Sequence, residues 1–241
     1  MRAAIPEIMS PESRPAADDA PTGRDGQDGT APPEQESAPP GGRPAHRPAQ
    51  GRRRGDALTG AIYRATLDEL ARTSFEELSF DKIAPAAGTG KAALYRRWST
   101  PAELVLAALT DDAAGFGAVP PYQGTGTLRG DLFALLTGLA QALDEPRGRA
   151  LRPLIAHRNR HPELFDHVHR LVIQPRQDLL LAALRDAAAR GEARPDSVTR
   201  RIAQVGPRLV LMESWERGHV AADEVAAIVD EVLIPLTGAV A

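Results

Sequence analysis

Apolar positions recur at helical spacing along most of the chain beyond residue 56, and no segment alternates in the manner of a strand. Leu58, Ile62, Ala65, Leu67, Leu70 and Ala71 lie on or near one face of a first helix, predicted over 57–73. After Ser79, placed as an N-cap, Phe80, Ile83, Ala84 and Ala87 repeat at the same spacing and predict a second, short helix. Gly88 supplies the left-handed backbone that a sharp turn between packed helices needs. The pattern resumes over 91–98, with Leu94 and Trp98 facing inward and Lys91, Ala92, Ala93, Tyr95 and Arg96 on or beside the opposite face. Thr100, Pro101 and Glu103 form a capping box with proline in the first helical position, so a fourth helix opens there. Leu104, Leu106, Leu109 and Phe116 continue it towards a Gly/Pro-rich break at 115–126. Five more helices are predicted over 128–143, 147–157, 162–190, 196–215 and 222–236, with Pro175 kinking the long one, Gly191 stopping it and Asp196 capping the next. The fold class is therefore all-α, with about nine helices.

Two short helices pivoting on Gly88 outline a helix-turn-helix. Its outer face is basic, small and aromatic, so it fits closely into a phosphate-lined groove; Tyr95 and the cations suit phosphates, and Lys91 or Arg96 is long enough to reach base edges. At Ile83-Ala84, Ala87-Gly88, Leu94-Tyr95 and Trp98 the chain resembles the tetracycline-repressor (TetR) family of transcriptional regulators, and the match extends upstream through the first helix. Three departures stand out: Gly90 and Ala93 replace hydroxyl residues, Pro101 replaces a helix-opening lysine, and Pro85 lies inside the first helix of the motif, where proline ordinarily costs ~3 kcal/mol.

Charge sharpens this picture. The chain as a whole carries net charge −3, but the charge is segregated. Residues 1–42 hold 3 basic and 8 acidic side chains, net −5; residues 43–100 hold 11 and 6, net +5; residues 101–241 hold 15 and 18, net −3. The positive excess coincides with the helix-turn-helix, as a DNA-binding segment requires. The first fifty residues contain 10 of the 21 prolines and few large apolar residues, so residues 1–51 are expected to be a disordered extension. Arg52, Arg53 and Arg54 follow it, either as a basic arm reaching the minor groove or phosphates or as a solvated charge run.

The absence of cysteine excludes disulfides, thiolate catalysis and zinc fingers. No apolar run approaches the ~20 residues of a membrane span, and a cytoplasmic protein with no membrane partner is expected. His157 and His161, four apart, lack an obvious third ligand and adjoin Pro162, so no metal is expected. Gly88-Thr89-Gly90-Lys91 lacks the leading glycine, the Ser or Thr and the preceding strand of a phosphate-binding loop. Neither a catalytic constellation nor a cofactor motif is present.

The resemblance implies a three-helix DNA-binding head over 52–104 and a helical effector-binding and dimerisation domain over 105–241. It places DNA contacts at Lys82, Lys91, Ala92, Ala93, Tyr95, Arg96 and Arg97, together with the arginine arm. Phe116, Phe133, Leu136, Leu154, His157, Phe165, Val168 and Trp215 are candidate walls of an effector pocket, with ordinary core as the alternative for each. Ile202, Val205, Leu209 and Met212 on one helix, with Val225, Ile228, Val229, Val232 and Leu236 on the next, form apolar stripes that bury either against a second copy or within the chain. The function implied is a ligand-responsive repressor, binding a palindromic double-stranded operator as a homodimer and released by a small molecule. The rivals are a helical small-molecule-binding protein with a degenerate head and a helical enzyme.

Overall fold

The structure is a computed structural model that describes residues 49–238, with side chains from residue 55. Nine helical rods are found among the described residues. They are α1 (Ala49–Arg72), α2 (Phe80–Ala86), α3 (Lys91–Tyr95), α4 (Pro101–Thr110), α5 (Leu128–Asp144) and α6 (Pro146–Ala156), followed by three composite rods. In α7, Pro162–Val168 passes through a π-helical turn, His169–Ile173, into Gln174–Arg190. The next rod, α8, joins Arg200–Ala203 to Val205–Arg217, and α9 runs through Ala222–Ala227, a π-helical Ile228–Leu233 and Ile234–Thr237.

Both π-helical stretches lie just upstream of a proline that the helix must absorb. Proline removes one backbone donor and its ring collides with the carbonyl four residues earlier. Those carbonyls belong to Leu171 for Pro175 and to Glu231 for Pro235, each inside a π-helical stretch whose wider turns relieve the collision. The kink predicted at Pro175 is thus spread over the turn before it.

Several boundaries differ from the sequence expectation. The α1 helix begins at Ala49 rather than 57, because Gln50 and Arg52–Arg54 are good helix formers that continue the rod backwards. The expected extension lies outside the described residues as far as residue 48. The fourth helix stops at Thr110; Phe116 is not part of it but folds back, its N–H donating to the Leu109 carbonyl and its ring buried. Asp196 sits in a short 3₁₀ turn, and Thr199 instead caps α8 by accepting the Ile202 N–H at 3.2 Å. A β-region Thr one residue before the helix has the geometry that capping needs.

Two apolar cores result. The first joins α1–α4 to Phe116, α6 and the front half of α7, through Ile62, Leu70, Ile83, Leu94, Leu104, Leu109, Leu154 and Val172. The second joins α5, the rear half of α7, α8 and α9, through Leu132, Leu136, Leu184, Val210 and Val229. The boundary expected after residue 104 falls inside α4, whose Leu104, Val105, Ala108 and Leu109 all lie in the first core. Rod α7 changes from one core to the other at its π turn.

Candidate nucleic-acid interface

The turn between α2 and α3 rests on a left-handed backbone at Gly88, which a β-carbon disfavours although the space around it is open. Gly88 has φ +66°, its N–H donates to the Pro85 carbonyl at 3.0 Å, and the Thr89 N–H donates to the Ala84 carbonyl at 3.0 Å. This pair of bonds is the Schellman arrangement, which satisfies the last carbonyls of α2 and redirects the chain sharply. Ser79 takes the N-cap position and backbone of α2, yet its hydroxyl makes no capping bond. At the far side of the motif Thr100 Oγ1 accepts the Glu103 N–H at 3.2 Å, and the Glu103 carboxylate reaches back to the Ser99 N–H at 2.7 Å. The capping box is therefore offset by one residue on its return arm.

Leu94 and Trp98 anchor the recognition helix inward, with the Trp98 ring edge-on to Tyr63 at 5.7 Å. That leaves Lys91, Ala92, Tyr95, Arg96 and Arg97 exposed and Ala93 half-buried. Tyr95 is 63% exposed although its ring edge rests on Phe80 at 4.8 Å. Phe80 thereby fixes the direction of the ring while the hydroxyl stays available.

The cations of the motif are not equivalent. Lys91 is paired with Asp81 of α2, and Lys82 lies 3.7 Å from Glu69 and 3.6 Å from Glu77. Arg97 folds back, donating to the Thr59 hydroxyl and lying 6.0 Å from the Trp98 ring centre. Arg96 makes no ion pair among the described residues. The side chains of Arg52, Arg53 and Arg54 lie outside the described residues.

The family described as bacterial regulatory proteins, tetR family, matches residues 62–108, and the tetracyclin repressor-like C-terminal domain matches residues 122–232. A DNA-binding transcriptional repressor TetR of Mycobacteroides abscessus is 32% identical over 187 residues, covering 76% of this chain and 95% of that protein. The chain belongs to the TetR family. An HTH-type transcriptional regulator of Mycobacterium tuberculosis is 30% identical over 171 residues, covering 70% of this chain and 83% of its own length. Among solved structures, an HlyIIR mutant protein shares the fold at TM-score 0.58 and 13% identity, covering 72% of this chain and 95% of that one. This is accordingly a TetR-family helix-turn-helix transcriptional regulator.

The head and the loop after α4 also contact the following helices through residues outside the expected sets, among them Phe75, Glu76, Arg147 and Arg176. Phe75, between α1 and α2, meets the His161 ring edge-on at 4.6 Å. The neighbouring Glu76 carboxylate lies 3.2 Å from His161 Nε2 and 3.5 Å from Arg160. The hydrogen bond from its own backbone N–H, joined by His161 and Ser74, pulls the Glu76 carboxyl down to about 2. Between α4 and α5, Phe116 is held between two guanidiniums, Arg176 at 5.0 Å and Arg147 at 5.4 Å from its ring centre. Arg147 also donates to the Gly115 carbonyl at 2.8 Å, and Arg176 to the Phe116 carbonyl. Burial lowers the Arg176 pKa, and Arg147 lowers it further.

The expected pocket residues do not converge on one cavity. Leu154, His157 and Phe165 line a tight surface crevice with Phe75, Pro153, His161 and Leu164, which leaves no space for even one water molecule. Val168 and Phe116 are buried elsewhere in the first core, Leu136 in the second with Phe133 packed against it, and Trp215 on α8 lies 5.9 Å from Arg152 of α6. The expected dimer stripe also divides. Val225, Ile228 and Val229 are at most 5% exposed within the chain, so they have no surface to offer a partner. The helical stripe on α9 is wide enough to feed its own core, and these residues take the inner half. Met212 and Leu236 remain 47% and 41% exposed, flanked by half-buried Ile202, Val205, Leu209 and Val232.

Proposed function

We propose that this TetR-family regulator is a cytoplasmic repressor that binds a palindromic operator as a homodimer and leaves it when a small molecule binds the body. The observation that carries the DNA part is the face of α3, where Ala92, exposed Tyr95 and Arg96, which makes no ion pair among the described residues, project together from a buried Leu94 anchor. Small residues permit close approach to the groove, Tyr95 holds a phosphate, and Arg96 reaches a phosphate or base edge. Lys91, Lys82, Arg97 and the arginine arm add to the electrostatic footprint. Dimerisation is assigned to Ile202, Val205, Leu209, Met212, Val232 and Leu236, and the name of the Mycobacteroides abscessus relative supports repression.

Effector control is supported by the continuity of the first core. The α4, α6 and front-α7 residues that would respond to a ligand share one packed core with the head, so a change among them alters head orientation. A ligand that prefers one arrangement shifts the population by its differential affinity. Of the expected pocket residues, Leu154, His157 and Phe165 are assigned to this role, Val168 and Phe116 belong to the packed core behind them, and Phe133, Leu136 and Trp215 sit with the second-core helices.

The test is a competition binding experiment with fragments of the DNA adjoining this protein's coding sequence, in excess nonspecific DNA and at two salt concentrations. One fragment is expected to be retained at the higher salt and released by an inducing small molecule. Loss of every fragment at the higher salt counts against sequence-specific binding and favours the small-molecule-binding rival.

A further inference from the structure

We propose that Asp81 is a specificity-determining residue of the DNA interface, acting through Lys91; the inference rests on the regulator reading above. Lys91 is the first residue of α3, and its ammonium contacts the Asp81 carboxylate from the first turn of α2. Both side chains are more than half exposed, Lys91 at 56% and Asp81 at 64%, so the pair lies on the surface and not in the core. The Schellman turn at Gly88 sets this spacing, since it brings the start of α3 back beside α2. No other cation pairs with Asp81 among the described residues; Lys82 is engaged by Glu69 and Glu77.

A duplex must therefore take Lys91 from an existing partner. With random DNA the exchange replaces one anion by another, and it leaves the Asp81 carboxylate beside a polyanion. Most of the gain from the added phosphate contact is offset. Where Lys91 instead meets a guanine edge, the stronger and directed contact outweighs the lost pair. Asp81 thus suppresses background binding more than operator binding, which is discrimination by a repulsive element.

The experiment uses the full chain as wild type, Asp81→Asn, Asp81→Glu, Lys91→Ala and the Asp81→Asn/Lys91→Ala double variant. Each is titrated by fluorescence anisotropy at three salt concentrations against the fragment retained above and a shuffled duplex of equal length. Asp81→Asn is expected to tighten binding to the shuffled duplex about 3-fold, the scale of an exposed ion pair. The slope of log affinity against log salt should steepen by about 0.9, the value for one more neutralised phosphate. Affinity for the retained fragment changes less, so the ratio between the duplexes falls, and Asp81→Glu restores it. In the Lys91→Ala background the effect of Asp81→Asn shrinks. Equal tightening on both duplexes, or an effect of the same size without Lys91, overturns the inference. Melting followed by circular dichroism confirms that the variants fold. Wild-type protein that binds neither duplex overturns the regulator reading, and this inference with it; wild-type binding with an unchanged ratio in Asp81→Asn overturns this inference alone.

Discussion

The two cores of this regulator are held in different ways. The first, which contains the head, is joined mainly by apolar contact: Leu94 and Trp98 into α1 and α2, then Leu104 and Leu109 of α4 against α1 and α7, with α6 packed on α1. The second is also locked by a buried charge. Asp131, 1% exposed, accepts the Tyr122 hydroxyl at 2.7 Å, the Thr125 hydroxyl at 2.7 Å and the Thr125 N–H, with Arg190 at 3.4 Å. Glu192, beside Arg190, accepts the Leu128 N–H at 2.6 Å. These contacts tie the loop after α4, the start of α5 and the end of α7 together. The first core has directional ties of its own, from Arg147 and Arg176 to the Gly115 and Phe116 carbonyls and from Glu76 to His161, but each rests on a partly exposed side chain, whereas Asp131 is buried. A polar network that is buried and satisfied rigidifies its surroundings more than one at the surface.

The severest way to break this arrangement is at the joint between α5 and α6. A β-carbon at Gly148 would overlap the Ala142 carbonyl and the Leu143 backbone, so no side chain can yield to admit it. Gly148→Ala is expected to lose on the order of 4 kcal/mol, with the loss reported equally from both regions. Chemical denaturation followed separately at Trp98, in the head, and Trp215, on α8, measures it.

Leu136→Ala, a fully buried truncation in the second core, is expected to cost about 3 kcal/mol. The Trp215 transition should move first and the Trp98 transition less. Coincident shifts would show instead that the two cores unfold as one unit.

Asp131→Asn is expected to cost about 2 kcal/mol, because the Tyr122 and Thr125 donors lose a charged acceptor. Burial raises the Asp131 carboxyl, but the hydrogen bonds from Tyr122 and Thr125 and the charge of Arg190 outweigh it, and the net pKa is lowered. A carboxyl lowered by folding contributes stability that is complete above its unfolded value and lost as pH falls through its folded one. The wild-type melting temperature should therefore hold down to about pH 4 and fall below that. The variant should begin lower and lack this component of the fall; parallel curves would remove Asp131 from the account.

Smallest are the effects on the head's surface. Tyr95→Phe and Lys91→Ala should leave stability within about 0.5 kcal/mol. Tyr95→Phe should weaken fragment binding by about 1 kcal/mol if the hydroxyl holds a phosphate. Unchanged affinity in both would sink the α3 assignment.

The helix-turn-helix was legible because its determinants are local. Gly88 must adopt positive φ, Leu94 and Trp98 are four apart, and Thr100 with Glu103 marks a helix start, so each feature depends on neighbours within one or two turns. The Asp131 lock left no comparable signal. An acid in the first turn of a helix ordinarily reads as a solvated partner of the helix dipole, and only the return of Tyr122 and Arg190 from separate elements makes it a buried anchor. Phe116 misled for a related reason: its spacing continues α4, while its place between Arg147 and Arg176 depends on residues 31 and 60 positions away.

Spacing and composition by themselves determined that this chain is helical, where the helix-turn-helix lies, and which side of α3 is exposed. Each of those follows from the 3.6-residue period and the backbone limits of glycine and proline. Tertiary structure alone decided how the apolar stripes were used, since a stripe records that a face is buried but not against what. The inner half of α9 went to its own chain, leaving Met212, Leu236 and their half-buried neighbours at the surface. It also decided that Lys91 is held by Asp81, because that pair joins residues ten apart across a turn whose geometry only the folded backbone sets.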